Sequence, residues 1–330
     1  MTRQSAAIGI IANPVSGRDI RRVAARGAVS STEDKRNRIA RAAVGAVAGG
    51  CKKIVAMKEP FGIASKALED LPVDADIEIL DIGARVDPTD TARAALAMKA
   101  LGIKVLITLG GDGTNRTIAK SWPDVTLVPM STGTNNVFPS QIEPTVAGAA
   151  AGLVASEKVD EEIVAPRSKM IHLDFEDGRR DLALIDAANL ANDFAGNQMP
   201  VDPNNLRQLL VSVARSDTIG VSSIAGLHTQ CRPEDDLAVL VTCGQDGKLT
   251  NAPIAPGLYR KVPVEAVTKI ELDQQIELWG PSTLAFDGDR EHDVPANSRV
   301  LAIVRRDGPK VVNVRLAMEA ASHSGLFVEP

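Results

Sequence analysis

Short apolar runs and longer segments of helical spacing alternate along the first 150 residues of this 330-residue chain. The runs are aliphatic or β-branched along their whole length, which is typical of strands buried on both faces of a parallel sheet. Strands that alternate with helices indicate a doubly wound, Rossmann-like α/β layer, because crossovers between parallel strands are right-handed. The runs predict strands at residues 6–13, 52–58, 76–83, 104–111 and 126–131.

Two of the intervening segments carry clear helix signals. Ser31 can cap a helix whose third residue is Asp34, and the apolar stripe of this helix ends at the glycine pair 49–50. A second helix is expected at residues 88–102, which also end in glycine.

After about residue 158 the pattern changes to short strands separated by turn signals. Residues 169–190 predict two strands joined at 176–179, where Asp-Gly forms the turn. We expect this half to be β-rich and largely antiparallel. Its other predicted elements are strands at 220–230, 235–243, 268–278 and 299–316, a helix at 202–215 and a tail helix at 316–327.

Composition and charge narrow the class of ligand. Aromatic residues make up 3% of the chain, so no platform for stacking single-stranded nucleic acid is expected. The net charge of −5 disfavours a polyanionic partner, but backbone N–H groups can still hold a small phosphorylated ligand. The three cysteines form no CxxC pair, and no stretch reaches the roughly 20 apolar residues of a membrane span. Since the N-terminus has no signal-peptide pattern, we expect a cytoplasmic protein.

The strongest motif is Gly-Gly-Asp-Gly-Thr-Asn at residues 110–115, between an apolar strand and the start of a helix. Ligands of open α/β sheets bind at the carboxyl ends of strands. Gly110, Gly111 and Gly113 let backbone N–H groups approach an anion, and the helix N-terminus adds its positive dipole. Asp112 can then accept a proton from an attacking hydroxyl or help to hold a divalent cation. The plainer alternative is a glycine turn that Asp112 caps.

Two further polar loops follow predicted strands. Residues 129–138 supply hydroxyls, amides and a glycine, and residues 13–17 read Asn-Pro-Val-Ser-Gly. Three such loops at three strand ends of one sheet suit a nucleotide crevice, although each alone could be ordinary turn chemistry. Arg18 or Arg21, directly after the first loop, could clamp a phosphate or belong to a charged helix face.

In this order, the NPxSG, GGDGT and GTNN loops resemble those of the NAD kinase/diacylglycerol kinase superfamily, and residues 287–289 are similar to its late DG turn. The segments NPVSGRDIRRV, STGTNNVFP and IGVSSIAG resemble the ATP-NAD kinase-like proteins of the acetoin-catabolism X type. The resemblance implies a nucleotide-binding α/β domain at 1–150 that a returning tail, about 308–330, rejoins. It implies a β-rich, sandwich-like acceptor domain at 151–307.

The resemblance also implies roles for individual residues. Asp112 would be the catalytic base or a metal-linked carboxylate, and Asp289 would be the second catalytic carboxylate. The acceptor would contact Asp186, Asn189, Asp287 and Gly288. The nucleotide would contact Asn13, Ser16, Gly17, Gly110, Gly111, Gly113, Thr114, Asn115, Thr132, Gly133, Thr134, Asn135 and Asn136.

This chain departs from the superfamily patterns at two places. NAD kinases carry an Asn-Glu pair that contacts the acceptor dinucleotide, whereas this chain has none. The nearest equivalents are Asp186 with Asn189, or the pair 192–193. Lipid kinases follow their loop asparagine with an acidic residue and FAR, whereas residues 137–139 here read Val-Phe-Pro. The acceptor is therefore open.

Three functions fit these motifs. The leading one is an ATP- and Mg²⁺-dependent kinase acting on a hydroxyl of NAD or a related metabolite, as a homo-oligomer without nucleic-acid or membrane partners. The others are a non-catalytic nucleotide or NAD sensor and a lipid kinase. The absence of GxxxxGK[ST] excludes a Walker-type loop, and a first strand without GxGxxG disfavours a dehydrogenase.

Overall fold

The computed structural model describes residues 6–17, 30–87, 89–133 and 136–328. Within them the strands are β1 (Ala7–Ala12), β2 (Lys53–Met57), β3 (Asp76–Leu80), β4 (Val105–Gly110), β5 (Thr126–Ser131), β6 (Met170–Phe175), β7 (Arg180–Ala183), β8 (Asp186–Leu190), β9 (Leu206–Val211), β10 (Leu237–Ala255), β11 (Leu258–Glu271), β12 (Gln275–Trp279), β13 (Ser282–Phe286), β14 (Asp289–Val294), β15 (Arg299–Arg305) and β16 (Lys310–Val311). The helices are α1 (Thr32–Ala48), α2 (Ile63–Leu68), α3 (Thr89–Ala100), α4 (Asp112–Ser121), α5 (Pro144–Ala155), α6 (Glu161–Val164), α7 (Ser222–Gly226) and α8 (Val314–His323).

The first sheet is parallel and has the order β16-β5-β4-β1-β2-β3 within the described residues. All five predicted apolar runs form strands of this sheet. Neighbouring side chains of β1 enter two apolar clusters, Ile10 with α1 and α5 on one face and Ile11 with α3 and α4 on the other. This alternation is the period of a strand covered on both faces, and it confirms the expected doubly wound layer.

Both predicted helices of this half form. The side chain of Ser31 accepts a hydrogen bond from the Asp34 N–H (2.9 Å), so the expected cap is present. Helix α1 ends before Gly49, and Gly50 takes a φ of 108°, a conformation that disfavours residues with a Cβ. Helix α3 lies within the second predicted range, 88–102.

Helices α1 and α5 touch through their backbones. A Cβ at Gly45 would lie 1.9 Å from the Thr145 carbonyl oxygen, and one at Gly148 would lie 1.9 Å from that of Ala42. Neither distance leaves room for a methyl group. The contact lets alanines fill the core on this face of the sheet.

The second half forms two antiparallel sheets, with the orders β11-β10-β9-β8-β13-β14 and β12-β15-β6-β7. The β-rich, antiparallel character predicted for it is therefore confirmed. The predicted hairpin turn joins β6 to β7, with Gly178 at a φ of 85°. The segment then continues into β8, which belongs to the other sheet.

Two predicted elements of this half have the wrong kind of secondary structure, and two predicted strands, 268–278 and 299–316, are each divided between separate elements. Residues 202–215 were expected to be helical, but they form a short 3₁₀ turn and then β9, which lies between β8 and β10. A short apolar run on a central strand cannot be told from a buried helix by its pattern. Residues 220–230 were expected to be a strand, but they contain α7, where the Ser223 hydroxyl donates to the Gly220 carbonyl oxygen (2.7 Å).

Strands β10 and β11 form a ribbon much longer than expected. The sequence predicted strands at 235–243 and 268–278 and none between them. Residues 244–251 are mostly polar and include two glycines. In the structure β10 continues through them, and a register shift between Cys243 and Lys248 accommodates the glycine-rich segment. The far end of the ribbon, at Ile254 and Ala255, reaches the cleft described below.

The C-terminal tail lies against the first sheet. Strand β16 pairs in parallel with β5, and α8 packs on α5. Helix α5 itself runs across residue 150 and packs on α1. The domain limits given above stay a prediction.

The backbone contact between α1 and α5 leads to a stability prediction. Gly148→Ala should lower the free energy of unfolding by about 1–3 kcal/mol, since the new methyl must push the helices apart. This loss is expected even though alanine is the better helix former. Urea unfolding followed by circular dichroism would measure it.

The matched control is Val146→Ala on the exposed side of the same helix, which should change the midpoint little. A Gly148→Ala protein as stable as the wild type would contradict the close contact.

Candidate functional site

Three loops meet at the carboxyl ends of β1, β4 and β5. The Asn13 side-chain amide donates to the Thr114 hydroxyl (2.9 Å), and the hydroxyls of Ser16 and Thr132 lie 2.8 Å apart. The Thr132 N–H donates to the Gly110 carbonyl oxygen (3.0 Å). The loops predicted from the sequence as separate elements therefore form one connected surface.

Glycines make this close approach possible. A Cβ at Gly110 would lie 2.5 Å from the Thr114 hydroxyl oxygen, and one at Gly133 would lie 2.5 Å from Oδ1 of Asn136. Across the cleft, Oδ2 of Asp289 lies 3.0 Å from where a Cβ of Gly113 would stand. These glycines thus leave room for neighbouring polar side chains.

A buried lysine that the sequence analysis missed holds the first loop. Nζ of Lys35 donates to the carbonyl oxygens of Asn13 (2.9 Å), Pro14 (3.1 Å) and Ser16 (2.8 Å), and its side chain is fully buried. Lys35 lies four residues before Ile39, on the apolar stripe of α1. The position of a lysine on an apolar helix stripe was the signal by which the sequence could have identified Lys35.

Asp112 is the first residue of α4 and lies on the floor of the site. Its carboxylate accepts hydrogen bonds from the N–H groups of Val137 (3.1 Å) and Phe138 (2.9 Å). Burial, together with the negative charge of nearby Asp287, raises the pKa of Asp112 to about 8, although the two N–H donors oppose this. The carboxyl group can therefore exchange a proton near neutral pH.

Acidic residues of the antiparallel sheets form the facing wall. Asp287 lies in a left-handed turn (φ 50°) and accepts hydrogen bonds from the N–H groups of Leu184 (2.9 Å), Ile185 (2.7 Å) and Asp186 (3.2 Å). Burial raises the pKa of both Asp186 and Asp287, and the mutual repulsion of the carboxylates adds to the shift of Asp186. Three buried carboxyl groups thus face one another at the junction of the sheets.

Arg116 is the second residue that the sequence analysis missed. It follows the motif on α4, is 5% exposed, and hydrogen-bonds Glu291 of β14 through Nη2. Its guanidinium lies 5.9 Å from the ring centroid of Phe286. No sequence signal separated it from an ordinary charged helix residue.

These walls enclose a cleft of about 700 Å³. The predicted site residues that line it are Asn13, Ser16, Gly17, Gly111, Asp112, Gly113, Thr114, Gly133, Asn136, Asp186, Asp287, Gly288 and Asp289. Four predicted residues are not among the lining: Gly110, Asn115, Thr132 and Asn189. Thr134 and Asn135, with the suggested phosphate clamps Arg18 and Arg21, lie outside the described residues.

Asn115 and Asn189 hold protein groups instead of facing the cleft. The Asn115 amide donates to the Gly111 carbonyl oxygen (2.9 Å) and accepts from the Thr108 hydroxyl (2.8 Å), which fixes the motif loop. The Asn189 amide donates to the carbonyl oxygen of Trp279 (3.2 Å). Neither side chain lines the cleft, and a ligand contact by either stays a prediction.

The chain is similar to known proteins over most of its length. The model of the acetoin catabolism protein X C-terminal domain matches residues 169–307. The chain is 32% identical to acetoin catabolism protein X of Cupriavidus necator over 337 aligned positions, which cover 97% of this chain and 93% of the relative. The chain belongs to the acetoin catabolism protein X family. The resemblance noted from the sequence motifs is thereby confirmed at the level of the family.

A solved structure is also similar to this family member. Yeast NADH kinase, crystallised with NADH, aligns with a TM-score of 0.49 and 12% identity, covering 100% of this chain and 89% of the kinase.

Two further findings concern the described part of this family member. No helix there is long and apolar enough to cross a membrane. No group of three or more histidine, cysteine, aspartate or glutamate residues there is arranged to hold a metal ion.

The raised pKa values of the buried acids predict how stability depends on pH. The native state binds these protons more tightly than the unfolded chain, so the free energy of unfolding should fall as pH rises from about 4 to about 8. Asp186→Asn removes one such group. The variant should match the wild type near pH 4 and exceed it at pH 8, as measured by thermal unfolding.

Asp246→Asn, at an exposed position of the ribbon, is the control and should follow the wild-type curve. If the curves of Asp186→Asn and the wild type ran parallel across this range, Asp186 would not be a buried acid of raised pKa.

Proposed function

We propose that this chain is an ATP-dependent phosphotransferase acting on a hydroxyl group of NAD or a related metabolite. The supporting observation is the position of Asp112. It is a buried carboxyl group at the start of α4, between three donor-rich loops and the acids of the facing sheet. The name of the Cupriavidus relative extends the proposal to a role in acetoin catabolism.

The loop side of the cleft suits a nucleotide. Gly111, Gly113 and Gly133 line it without side chains, and the N-terminus of α4 opens toward it. Backbone N–H groups and a helix dipole stabilise phosphate at such a place. In the proposal, residues 1–150 with the tail 308–330 hold ATP and residues 151–307 hold the acceptor. The protein is further proposed to be a cytoplasmic homo-oligomer.

In the proposed reaction, Asp112 is the general base. It takes the proton of the acceptor hydroxyl as the oxygen bonds to the γ-phosphorus of ATP, and the bond from that phosphorus to the bridging oxygen breaks to release ADP. A base works best when its pKa lies near the working pH, and a value of about 8 for Asp112 meets that condition.

The site also suits a magnesium ion carried by the nucleotide. Magnesium usually takes one or two carboxylates and fills its other positions with phosphate oxygens and water. Asp289, which lines the cleft beside Gly113, is the residue that would hold it. When bound, the ion would neutralise charge on the phosphates.

A nucleotide or NAD sensor is the second candidate. Two observations favour it: the Asn-Glu pair of NAD kinases is missing, and both carboxylate oxygens of Asp112 already accept backbone hydrogen bonds. Calorimetry with ATP and NAD, combined with a mass-spectrometric search for a phosphorylated product in a metabolite extract, separates the two. Tight binding without any product would favour the sensor.

The base assignment leads to a kinetic prediction. Asp112→Asn should lower turnover by about 10²–10⁴-fold, because the amide cannot accept the hydroxyl proton. The variant should stay folded, since the amide oxygen can still accept the N–H groups of Val137 and Phe138. ADP release measures the turnover, and circular dichroism checks the fold.

Asp246→Asn serves as the matched control and should keep wild-type turnover. For the wild type, kcat/KM should rise with pH toward about 8, as Asp112 loses its proton. Turnover near the wild-type value in Asp112→Asn would rule out Asp112 as the base.

A further inference from the structure

Lys35 is not among the residues that line the cleft, but it holds a loop that does. Its side chain is fully buried on α1. An ammonium group carries three N–H donors, and Nζ of Lys35 directs hydrogen bonds to the carbonyl oxygens of Asn13, Pro14 and Ser16. Burying an amine is costly unless acceptors surround it, so the lysine and this path of the loop depend on each other.

The two ends of the loop that Lys35 holds are also the points where the loop joins its neighbours. Asn13 donates from its side chain to the Thr114 hydroxyl of the glycine motif (2.9 Å). The hydroxyl of Ser16 lies 2.8 Å from that of Thr132. A displacement at Lys35 would therefore disturb the contacts of the first loop with both of the others.

The bonds to Lys35 also set the direction of the peptide groups in the first loop. Because Nζ is buried, the three carbonyl oxygens are turned into the protein. In a trans peptide the N–H points opposite to the C=O. The N–H of Gly17, which shares a peptide with the Ser16 carbonyl, therefore points away from Nζ, and Gly17 lines the cleft. A phosphate that entered here would meet the positive side of the peptide dipole.

The charges of the cleft make this orientation important. Among the described residues lining it, the cationic side chains are Arg116 and Arg290, which are paired with Glu291 and Asp193. The acidic ones are Asp87, Asp90, Asp112, Asp186, Asp287, Asp289 and Glu291. Backbone N–H groups therefore have to supply much of the stabilisation of an entering phosphate chain.

We propose that Lys35 is a positioning residue for the nucleotide, which sets its affinity by holding the first loop in the form that binds phosphate. Lys35 touches neither the nucleotide nor the reacting atoms, and it gains and loses no proton. Without its three bonds the loop would adopt the binding form for only part of the time, and the apparent affinity falls in proportion to that fraction. This inference rests on the proposed nucleotide site and assigns the residue that shapes it.

The alternative is that Lys35 stabilises the fold and has no effect on the ligand. Lys169 offers a matched control, because it is a second buried lysine, 2% exposed. Its Nζ donates to the carbonyl oxygens of Arg232 (3.0 Å) and Leu237 (2.7 Å) and to Sγ of Cys231 (3.1 Å). These four residues do not line the cleft. Replacement by methionine removes the donors of either lysine and keeps most of its length, so both variants should lose stability.

The test is calorimetric binding of ATP and of inorganic tripolyphosphate to the full chain, at a temperature where circular dichroism shows each variant to be folded. Lys35→Met should weaken both ligands by at least about tenfold, which corresponds to a loop that is competent for about a tenth of the time or less. Lys169→Met should bind both within about twofold of the wild type, since distant sites couple weakly. Thermal unfolding should show a comparable loss of stability in the two variants.

Several outcomes would overturn the inference: wild-type affinity in a folded Lys35→Met protein, an equal loss in Lys169→Met, or no ATP binding by the wild type. If Lys35→Met does not fold, Lys35→Gln takes its place. It keeps an N–H donor without the charge or the full reach, so it should lose several-fold in affinity, and wild-type affinity there rejects the role.

The two proposals fail separately. ATP binding and transfer that do not depend on Lys35 would reject this role alone. Lys35-dependent ATP binding without any phosphorylated product would reject the phosphotransferase alone.

Discussion

The buried carboxylates at the junction of the sheets are the constraint on which the rest of the site depends. Asp112 at the start of α4 and Asp287 in the turn between β13 and β14 are each buried, where an unpaired charge is very costly. Both are stabilised by backbone N–H groups from loops that lie apart from them in sequence. Each carboxylate therefore fixes the path of a loop and at the same time lines the cleft in which the proposed reaction takes place.

Polar side chains also hold the loops around the cleft in place. Hydroxyl and amide groups join the first loop to the other two, and the buried amine of Lys35 fixes its carbonyl groups from behind. Glycines leave the space that these bonds need. As a result, these loops present to the cleft largely backbone, small polar groups and the carboxylate of Asp112.

The sequence predicted the structure correctly where the pattern of apolar residues and the composition of the loops indicated the same element or site. The parallel strands, the Ser31 cap and the cleft position of Asp112 all follow from apolar runs and loop composition. Residues 202–215 were misassigned because a short apolar run has no period of its own. The ribbon was underestimated because polar residues and glycines dominate the segment 244–251. Arg116 could not be recognised as a cleft residue, since its partners are more than 60 residues away along the chain.

The backbone contact between α1 and α5 has a consequence beyond packing. Helix α1 carries Lys35 near one end and the glycine contacts near the other, about 15 Å apart at 1.5 Å per residue. Since a helix of this length is stiff, a sideways shift at the glycines would carry the lysine, and with it the first loop, out of register. Positions such as Gly45 and Gly148 should therefore be restricted in evolution by ligand affinity as well as by folding, although neither touches the cleft.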